Sequence, residues 1–329
     1  MLKQKELSKL KTGEPVKHFL LLNKIETKTT KANKSYLNLE LRDKSAVYPA
    51  KVWDNFEDFL ARAKEGDVVK VEGVIEEFNN QPQIRILSID LARESDNVSQ
   101  KDFLPVSERN LDEMLNEFKE FMNSIQNRYL RELLKVIFDK ETFEKYINVP
   151  AGKAWHHSYV HGLLEHTLEI LKICDLMCKI HPELDRDILL TAAILHDFGK
   201  TEELTYENSF DYTDKGRLLG HITIAALKIQ EAADKINNFP GKLLTLLLHL
   251  VLSHQGKLEH ASPVEPKTLE AIVLYHADEL SAKTNAYKLA IKADEDKEGS
   301  WTRFLPLAGT MLYTEKQQNG EEPKETLFD

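Results

Sequence analysis

The spacing of hydrophobic residues changes near residue 92, and this change constrains the fold more than any other feature of the sequence. Before it, apolar and polar residues alternate, most clearly over residues 36–41, which is typical of strands with one buried face. After residue 110, apolar residues recur every three to four positions, which is typical of amphipathic helices. A chain of 329 residues has room for about two domains. We therefore predict a multi-domain protein, all-β at its N-terminus and all-α at its C-terminus.

The N-terminal part contains five predicted strands separated by polar turns. A short helix is predicted over residues 56–64, between the third and the fourth strand. This order is that of the OB fold, a small barrel that binds oligonucleotides or oligosaccharides. The predicted strands cover residues 16–26, 35–42, 46–53, 67–78 and 83–91.

The change in pattern also gives the predicted domain boundaries. Residues 1–95 form the OB-like nucleic-acid-binding domain, and the polar composition of residues 92–107 indicates a linker. Residues 96–150 comprise this linker and helices that join or extend the second domain. Residues 151–300 form the all-α domain, and residues 301–329 form a C-terminal tail.

Positive charge is concentrated in the N-terminal part. Residues 1–51 contain 12 Lys or Arg against 5 Asp or Glu, although the whole chain has a net charge of −10. A basic segment in an acidic protein indicates a local contact with a polyanion. The basic side chains of the predicted barrel are Lys24, Lys28, Lys31, Lys34, Arg42, Lys44 and Lys51.

Two aromatic residues lie beside these charges on the predicted second and third strands. OB folds bind single strands by stacking bases on exposed aromatic rings next to a basic groove. We therefore expect Tyr36 and Trp53, together with Lys24, Lys34 and Arg42, to bind nucleic acid. The alternative for Trp53 is that its ring fills the barrel interior.

Several classes of protein are excluded by composition. The longest strongly apolar stretch, residues 243–252, is much shorter than the ~20 residues that a membrane helix needs. The charged N-terminus lacks the apolar core of a signal peptide. Only Cys174 and Cys178 are present, so no disulfide framework is expected. We expect a cytoplasmic protein without membrane contact, and the sequence leaves homo-oligomer formation open.

Histidines are concentrated in the helical half. Only His18 of the 12 histidines precedes residue 156. One segment reads HHSYVHGLLEHT from residue 156, and a later one reads ILHDFGK from residue 194. Imidazole and carboxylate together suit Mn, Fe, Co, Ni or Zn, whereas Mg prefers oxygen ligands. Ligands on separate helices would let a metal cross-link the core of the bundle.

The adjacent pair His196–Asp197 is the most specific element of this pattern. Neighbouring helical residues point ~100° apart, so both side chains can reach one cluster from the end of a helix. We expect Gly199 to end that helix and to leave Lys200 on the following loop.

The ordered pattern H…HD…H…H…D resembles that of the HD-domain metal-dependent phosphohydrolase superfamily, whose scaffold is all-α. An OB-like domain followed by an HD domain is similar to the YhaM family of bacterial 3′–5′ exoribonucleases. In the superfamily pattern, Asp197 bridges two divalent ions. The resemblance implies manganese as the metal, while the donor atoms alone leave Fe, Co, Ni and Zn open. The implied metal ligands are His166, His196, Asp197 and Asp278 for one ion, and Asp197, His221 and His254 for the other.

Two such ions can hold a bridging hydroxide that attacks a phosphodiester. Asp197 would then be catalytic, and Lys200 would offset charge on the phosphate. Arg217 would bind a phosphate oxygen, and His161 would orient the substrate or protonate the leaving group. His156 and His157 are not included among the metal ligands.

These expectations lead to one principal function and two alternatives. The principal function is metal-dependent 3′–5′ hydrolysis of single-stranded RNA to nucleoside 5′-monophosphates, with single-stranded DNA as a second candidate substrate. The first alternative is an HD-type phosphohydrolase of nucleotides or small molecules. The second is a non-catalytic regulator that binds single-stranded nucleic acid and contains a structural metal.

Overall fold

The computed structural model describes residues 4–30, 33–78, 81–153, 155–206, 210–294, 299–306 and 308–314. Lys31, one of the basic residues named above, lies outside these ranges, and so do residues 315–329 at the end of the predicted tail. None of the helices in the described ranges is both long enough and apolar enough to cross a bilayer.

The N-terminal strands form a closed barrel in the order β1-β2-β3-β5-β4. β3 and β5 pair in parallel, whereas the other neighbouring strands are antiparallel. A short helix, α1 (Glu57–Leu60), lies between β3 and β4. The predicted OB barrel is therefore confirmed. The strands are β1 (Pro15–Thr29), β2 (Ser35–Arg42), β3 (Val47–Val52), β4 (Val68–Phe78) and β5 (Gln81–Leu91).

Alternation along β2 separates the interior of the barrel from its outer face. Leu37, Leu39 and Leu41 are fully buried in the barrel core. Tyr36, between Ser35 and Leu37, carries its ring on the opposite face of the strand. The leucines thus hold the barrel together, and Tyr36 lies on its outer surface.

The rest of the described chain is mainly helical. A short two-stranded sheet, β6 (Leu204–Thr205) with β7 (Asp211–Tyr212), follows the short helix α7. The helices are α2 (Leu111–Ser124), α3 (Arg128–Ile137), α4 (Lys140–Asn148), α5 (Gly162–Ile180), α6 (Arg186–Leu195), α7 (Lys200–Glu203), α8 (Asp214–Asp234), α9 (Gly241–Ser253) and α10 (Leu269–Ala293).

One hydrophobic core extends from α2 to α10. Phe118 of α2 is fully buried and lies against Tyr146 of α4, with ring centroids 5.6 Å apart. The Tyr146 hydroxyl donates a hydrogen bond to the Ile194 carbonyl of α6. Helices α2–α4 therefore pack in the same core as the helices that carry the histidines.

The segment between the barrel and the helices is packed, although its polar composition indicates a linker. Leu21, on the outer face of β1, is fully buried against Phe103, Leu104 and Phe210. The Val160 N–H donates to the Pro105 carbonyl at 2.9 Å. These contacts hold the barrel against the helical domain.

The described part of the predicted tail folds back on itself. Trp301 pairs with Tyr313, and Leu305 pairs with Thr310, through isolated antiparallel bridges. The Arg303 N–H donates to Asp294 Oδ2 at 2.8 Å, next to the end of α10. Arg303 therefore joins this part of the tail to the end of α10.

Candidate metal centre

The helical domain brings all six predicted metal ligands to one buried position. His166 lies on α5, His221 on α8 and Asp278 on α10. His196 and His254 each follow the last residue of a helix, α6 and α9 respectively. His166, His196 and His254 are fully buried, and Asp197 is 2% exposed.

The two carboxylate oxygens of Asp197 face different pairs of histidines. Oδ2 lies 3.4 Å from His196 Nε2 and 3.7 Å from His166 Nε2. Oδ1 lies 3.3 Å from His221 Nε2 and 3.6 Å from His254 Nε2. We call these groups the Oδ2 half-site and the Oδ1 half-site. Asp278 joins the Oδ2 half-site, because its Oδ1 is 3.0 Å from His166 Nε2.

Backbone carbonyls fix the tautomer of two of these histidines. His196 Nδ1 lies 2.8 Å from the Ala193 carbonyl oxygen, and His254 Nδ1 lies 2.7 Å from that of Val251. A carbonyl oxygen only accepts hydrogen bonds, so each Nδ1 must carry the proton. In the neutral ring, each Nε2 therefore presents a lone pair to Asp197 and to any cation held there.

Several polar atoms of the cluster find no hydrogen-bond partner in the described part of the chain. Among the described residues, the buried Nε2 atoms of His166, His196 and His221 and the Oδ1 atom of Asp197 lack one. Burying such atoms unsatisfied costs about 1–3 kcal/mol each. A bound divalent cation would satisfy them, and imidazole with carboxylate is a suitable donor set for transition metals. The residues present therefore fit the divalent metal that the HD pattern implies.

Lys200 contributes a positive charge to this cluster. Its Nζ lies 2.5 Å from Asp197 Oδ2, and its side chain is buried. The prediction that Lys200 follows the helix on a loop is wrong, because α6 ends at Leu195 and Lys200 is the first residue of α7. Gly199 permits a close approach instead, since a Cβ there would lie 2.0 Å from the His221 carbonyl oxygen.

Electrostatics favour the metal-binding forms of His166 and Asp197. Burial lowers the pKa of His166 to about 4, so the imidazole is neutral at physiological pH. Burial alone would raise the pKa of Asp197, but the nearby Lys200 ammonium holds it well below its ordinary value. Neutral imidazole and ionised carboxylate are the forms that ligate metals.

A cavity of about 200 Å³ adjoins the cluster. Asp197, Lys200, His254 and Asp278 contribute to its lining. Its other lining residues are Trp155, His156, Gln255, His260, Tyr275, Glu279, Ala282 and Lys283. The cavity thus combines the buried ligands with aromatic and charged side chains that could contact a substrate.

The structure adds His156 and His157 to the surroundings of His166. Their ring centroids lie 4.8 Å and 5.1 Å from that of His166. His157 is fully buried, and its Nε2 has no hydrogen-bond partner among the described residues. Both residues precede α5, so helical spacing could not show that they lie near His166. The sequence indicated them only through the consecutive His-His pair.

His161 and Arg217 lie apart from the cluster. His161 precedes α5 in a left-handed conformation with φ of 69°, and its Nδ1 contacts the Ile147 carbonyl oxygen at 2.5 Å. Arg217 is exposed and pairs with Asp211 at 3.1 Å. In the described part of the chain, no hydrogen bond, ion pair or ring contact joins either side chain to the six ligands. Their predicted roles stay predictions.

The barrel carries a stacked aromatic pair, of which Tyr36 is half-buried and Trp53 is exposed. The Tyr36 and Trp53 rings stack with centroids 4.8 Å apart and an interplanar angle of 27°. Trp53 is 40% exposed, so its ring does not fill the barrel. Lys51 Nζ lies 4.7 Å from the centroid of the exposed Phe78 ring. We call Tyr36, Lys51, Trp53 and Phe78 the barrel platform.

The predicted cations of the barrel have different surroundings. Lys24 pairs with Glu26 and Lys34 pairs with Asp54, both at 2.7 Å and both at the surface. Arg42 is half-buried, its Nε has no hydrogen-bond partner among the described residues, and burial lowers its pKa. The two lysines are thus accessible to a polyanion, whereas Arg42 is the least solvated of the three.

Both domains match families of known proteins. Residues 163–283 match the HD domain family, and residues 24–92 match a family described as an OB-fold nucleic acid binding domain. The chain is 34% identical to the 3′–5′ exoribonuclease YhaM of Geobacillus sp. (strain WCH70), over 92% of each chain. It is 33% identical to YhaM of Bacillus subtilis (strain 168), over 92% of this chain and 95% of that protein. Identity to YhaM of Oceanobacillus iheyensis is 35%, over 89% of this chain and 91% of that protein. The chain therefore belongs to the YhaM family of 3′–5′ exoribonucleases, as the predicted order of its domains implies.

Proposed function

We propose that this protein hydrolyses single-stranded RNA from its 3′ end at the cluster around Asp197 and releases nucleoside 5′-monophosphates. The main support is the division of the ligands between the two oxygens of one carboxylate. Each oxygen faces its own pair of imidazoles, an arrangement suited to two divalent ions bridged by Asp197. We propose manganese as the metal because the family resemblance implies it, whereas the donor set by itself also suits Fe, Co, Ni and Zn.

The two ions would supply an activated water and neutralise charge on the phosphodiester. The remaining roles belong to residues of the chain itself. The ion pair with Lys200 holds the Asp197 carboxylate in place, and its two oxygens belong one to each half-site. Lys200 lines the same cavity and places an ammonium where negative charge develops on the phosphate, in a buried site where such charge is most effective.

The barrel platform would capture the single strand. Bases stack on exposed aromatic rings whatever their sequence, at about 1–3 kcal/mol per base. Lys28, Lys34 and Lys51 are on or near the same face and would contact phosphates. DNA offers the same rings and phosphates, so single-stranded DNA is proposed as a second ligand.

Two further properties go beyond the fold and the site. A cytoplasmic location stays a prediction of the sequence, and homo-oligomer formation stays an open alternative. Sedimentation of the purified full-length protein at several concentrations measures the second directly, and fluorescence microscopy of a tagged chain measures the first.

The proposed function is tested with 5′-labelled single-stranded RNA incubated with Mn²⁺, Mg²⁺ or a chelator. We expect a ladder that shortens one nucleotide at a time in Mn²⁺ and no cleavage with chelator. Asp197→Ala should abolish the ladder and leave RNA binding intact, because the barrel is unchanged. Asp234→Ala, at the exposed end of α8, is the matched control and should behave as the wild type.

Three outcomes would contradict the proposal. Equal degradation of an RNA with a blocked 3′ end would refute the polarity. Turnover of mononucleotide esters without RNA degradation would favour the small-molecule phosphohydrolase. RNA binding without release of any phosphate ester under any divalent ion would favour the non-catalytic regulator.

A further inference from the structure

The four histidines that face Asp197 differ in what holds their other ring nitrogen. His196 and His254 are held by backbone carbonyls of their own helices. His166 and His221 are instead held by side chains that lead to a carboxylate. Each half-site thus contains one carbonyl-held and one carboxylate-linked histidine.

In the Oδ1 half-site, the carboxylate is that of Glu203. Its Oε1 lies 3.1 Å from His221 Nδ1 and accepts a hydrogen bond from the His221 backbone N–H at 2.9 Å. Because Oε1 accepts the backbone N–H, and a carboxylate oxygen is an acceptor, it accepts from the ring as well. His221 Nδ1 therefore donates, and its Nε2 lone pair faces Asp197. Glu203 fixes both the main chain and the ring of His221.

In the Oδ2 half-site, the link passes through a hydroxyl. Ser281 of α10 donates to Glu169 Oε2 at 2.6 Å, because a carboxylate accepts. Its hydroxyl proton is used in that bond, so its oxygen accepts from His166 Nδ1, which lies 2.9 Å away. Glu169 Oε2 also lies 3.3 Å from His157 Nε2. The resulting chain runs from His166 through Ser281 to Glu169 and joins α5 to α10.

We propose that Glu203 and the Ser281–Glu169 pair are positioning residues, each of which strengthens cation binding at one half-site. The inference rests on the two-ion part of the proposed function. A carboxylate that accepts the proton of a ligating imidazole fixes the ring and makes its other nitrogen a better donor to the metal. Loss of such a partner typically weakens metal affinity by about 10–100-fold. None of these residues is itself one of the six ligands.

The test measures Mn²⁺ binding to full-length protein, without RNA and independently of activity. Protein freed of metal with a chelator is titrated with Mn²⁺, and bound metal per chain is measured by mass spectrometry after equilibrium dialysis. The wild type should bind two ions. Glu203→Gln should retain one ion at wild-type affinity and bind the other about 10–100-fold more weakly, and Ser281→Ala should do the same. The double variant should bind both ions weakly.

Two control variants separate positioning from general disturbance of the fold. Glu202→Gln changes the neighbouring glutamate, whose partners are Lys215 and Lys228 at the surface. Ser253→Ala removes a buried hydroxyl next to His254 that donates to the His249 carbonyl and, within the described ranges, bonds no other group. Both should bind two ions as the wild type does. Thermal unfolding in chelator shows whether each variant folds, and a variant that does not fold is replaced by Glu169→Gln at the Oδ2 half-site or Glu203→Asp at the Oδ1 half-site.

The possible results are distinguishable. Two ions in the wild type and one tightly bound ion in each single variant support the inference. Two ions bound at wild-type affinity in folded Glu203→Gln and Ser281→Ala would overturn it and leave the two-ion site standing. One ion in the wild type would overturn both the two-ion proposal and the division into half-sites.

Discussion

Lys200 Nζ lies 2.5 Å from Asp197 Oδ2, the oxygen that also faces His166 and His196. Both side chains are buried, so the effective dielectric around the pair is low and electrostatic interactions there are strong. The ammonium therefore holds the central carboxylate in place and also adds positive charge to the lining of the cavity.

We expect Lys200→Met to lower the rate of RNA hydrolysis by about 100–1,000-fold, the typical effect of losing one electrostatic donor in an active site. RNA affinity and Mn²⁺ stoichiometry should change little, because Lys200 is not a metal ligand. Single-turnover kinetics measure the rate, and anisotropy measures RNA binding. Lys215→Met, at an exposed lysine on α8, is the control. A rate within threefold of the wild type would remove Lys200 from the mechanism.

Metal removal should lower thermal stability. The six ligands come from five helices and from segments at their ends, so bound cations cross-link the core. One ion at a free concentration 100 times its Kd adds about 2.7 kcal/mol to the free energy of unfolding. Differential scanning fluorimetry across a Mn²⁺ series should show a Tm that rises with the logarithm of the concentration. A Tm independent of Mn²⁺ would contradict the proposed site.

Tyr36→Ala and Trp53→Ala should each weaken binding of single-stranded RNA. Loss of one stacked base corresponds to about 1–3 kcal/mol. The dependence of affinity on salt should persist, because neither change removes a phosphate contact. Val47→Ala, at another exposed residue of the barrel, should bind as the wild type. Unchanged affinity in both aromatic variants, measured by anisotropy, would exclude the barrel platform as the binding surface.

Leu21→Ala should destabilise the contact between the barrel and the helical domain. Leu21 is fully buried against Phe103, Leu104 and Phe210, and truncation of a buried leucine costs about 2–5 kcal/mol. Leu87→Ala, at a leucine that is 64% exposed on β5, should change stability by less than about 0.5 kcal/mol. Urea denaturation compares the two variants. Equal stability would mean that the barrel is not held by this cluster.

His249 should make stability depend on pH. Its Nε2 accepts the Lys267 backbone N–H at 3.0 Å, which only the neutral ring can do. Burial lowers its pKa below the ordinary 6.5, so the unfolded chain binds more protons below that pH. The contribution of His249 is therefore complete above pH 6.5 and is lost as the pH falls. His249→Gln should reduce this loss in denaturation measured from pH 7.5 to 5, and an identical pH profile would contradict the assignment.

Local pattern was enough for the fold and for the types of residue at the site. Alternation over 36–41 and the helical period after residue 110 depend on neighbours in the chain, so they predict strands and helices directly. The order of histidines and aspartates likewise shows which residues can ligate metal. The end of α6 at Leu195, and therefore the position of Lys200, could not be predicted from local pattern, because the close approach of Gly199 to the His221 carbonyl is a tertiary contact.

The sequence by itself determined that an OB barrel precedes a helical domain with an HD pattern, because both follow from short-range periodicity and residue order. Only the tertiary structure decided which oxygen of Asp197 faces which imidazole, and that Ser281 and Glu169 hold His166. The Ser281 hydroxyl contacts His166 across 115 residues of chain. Contacts over such separations depend on how the helices pack, and spacing along the chain carries no information about them.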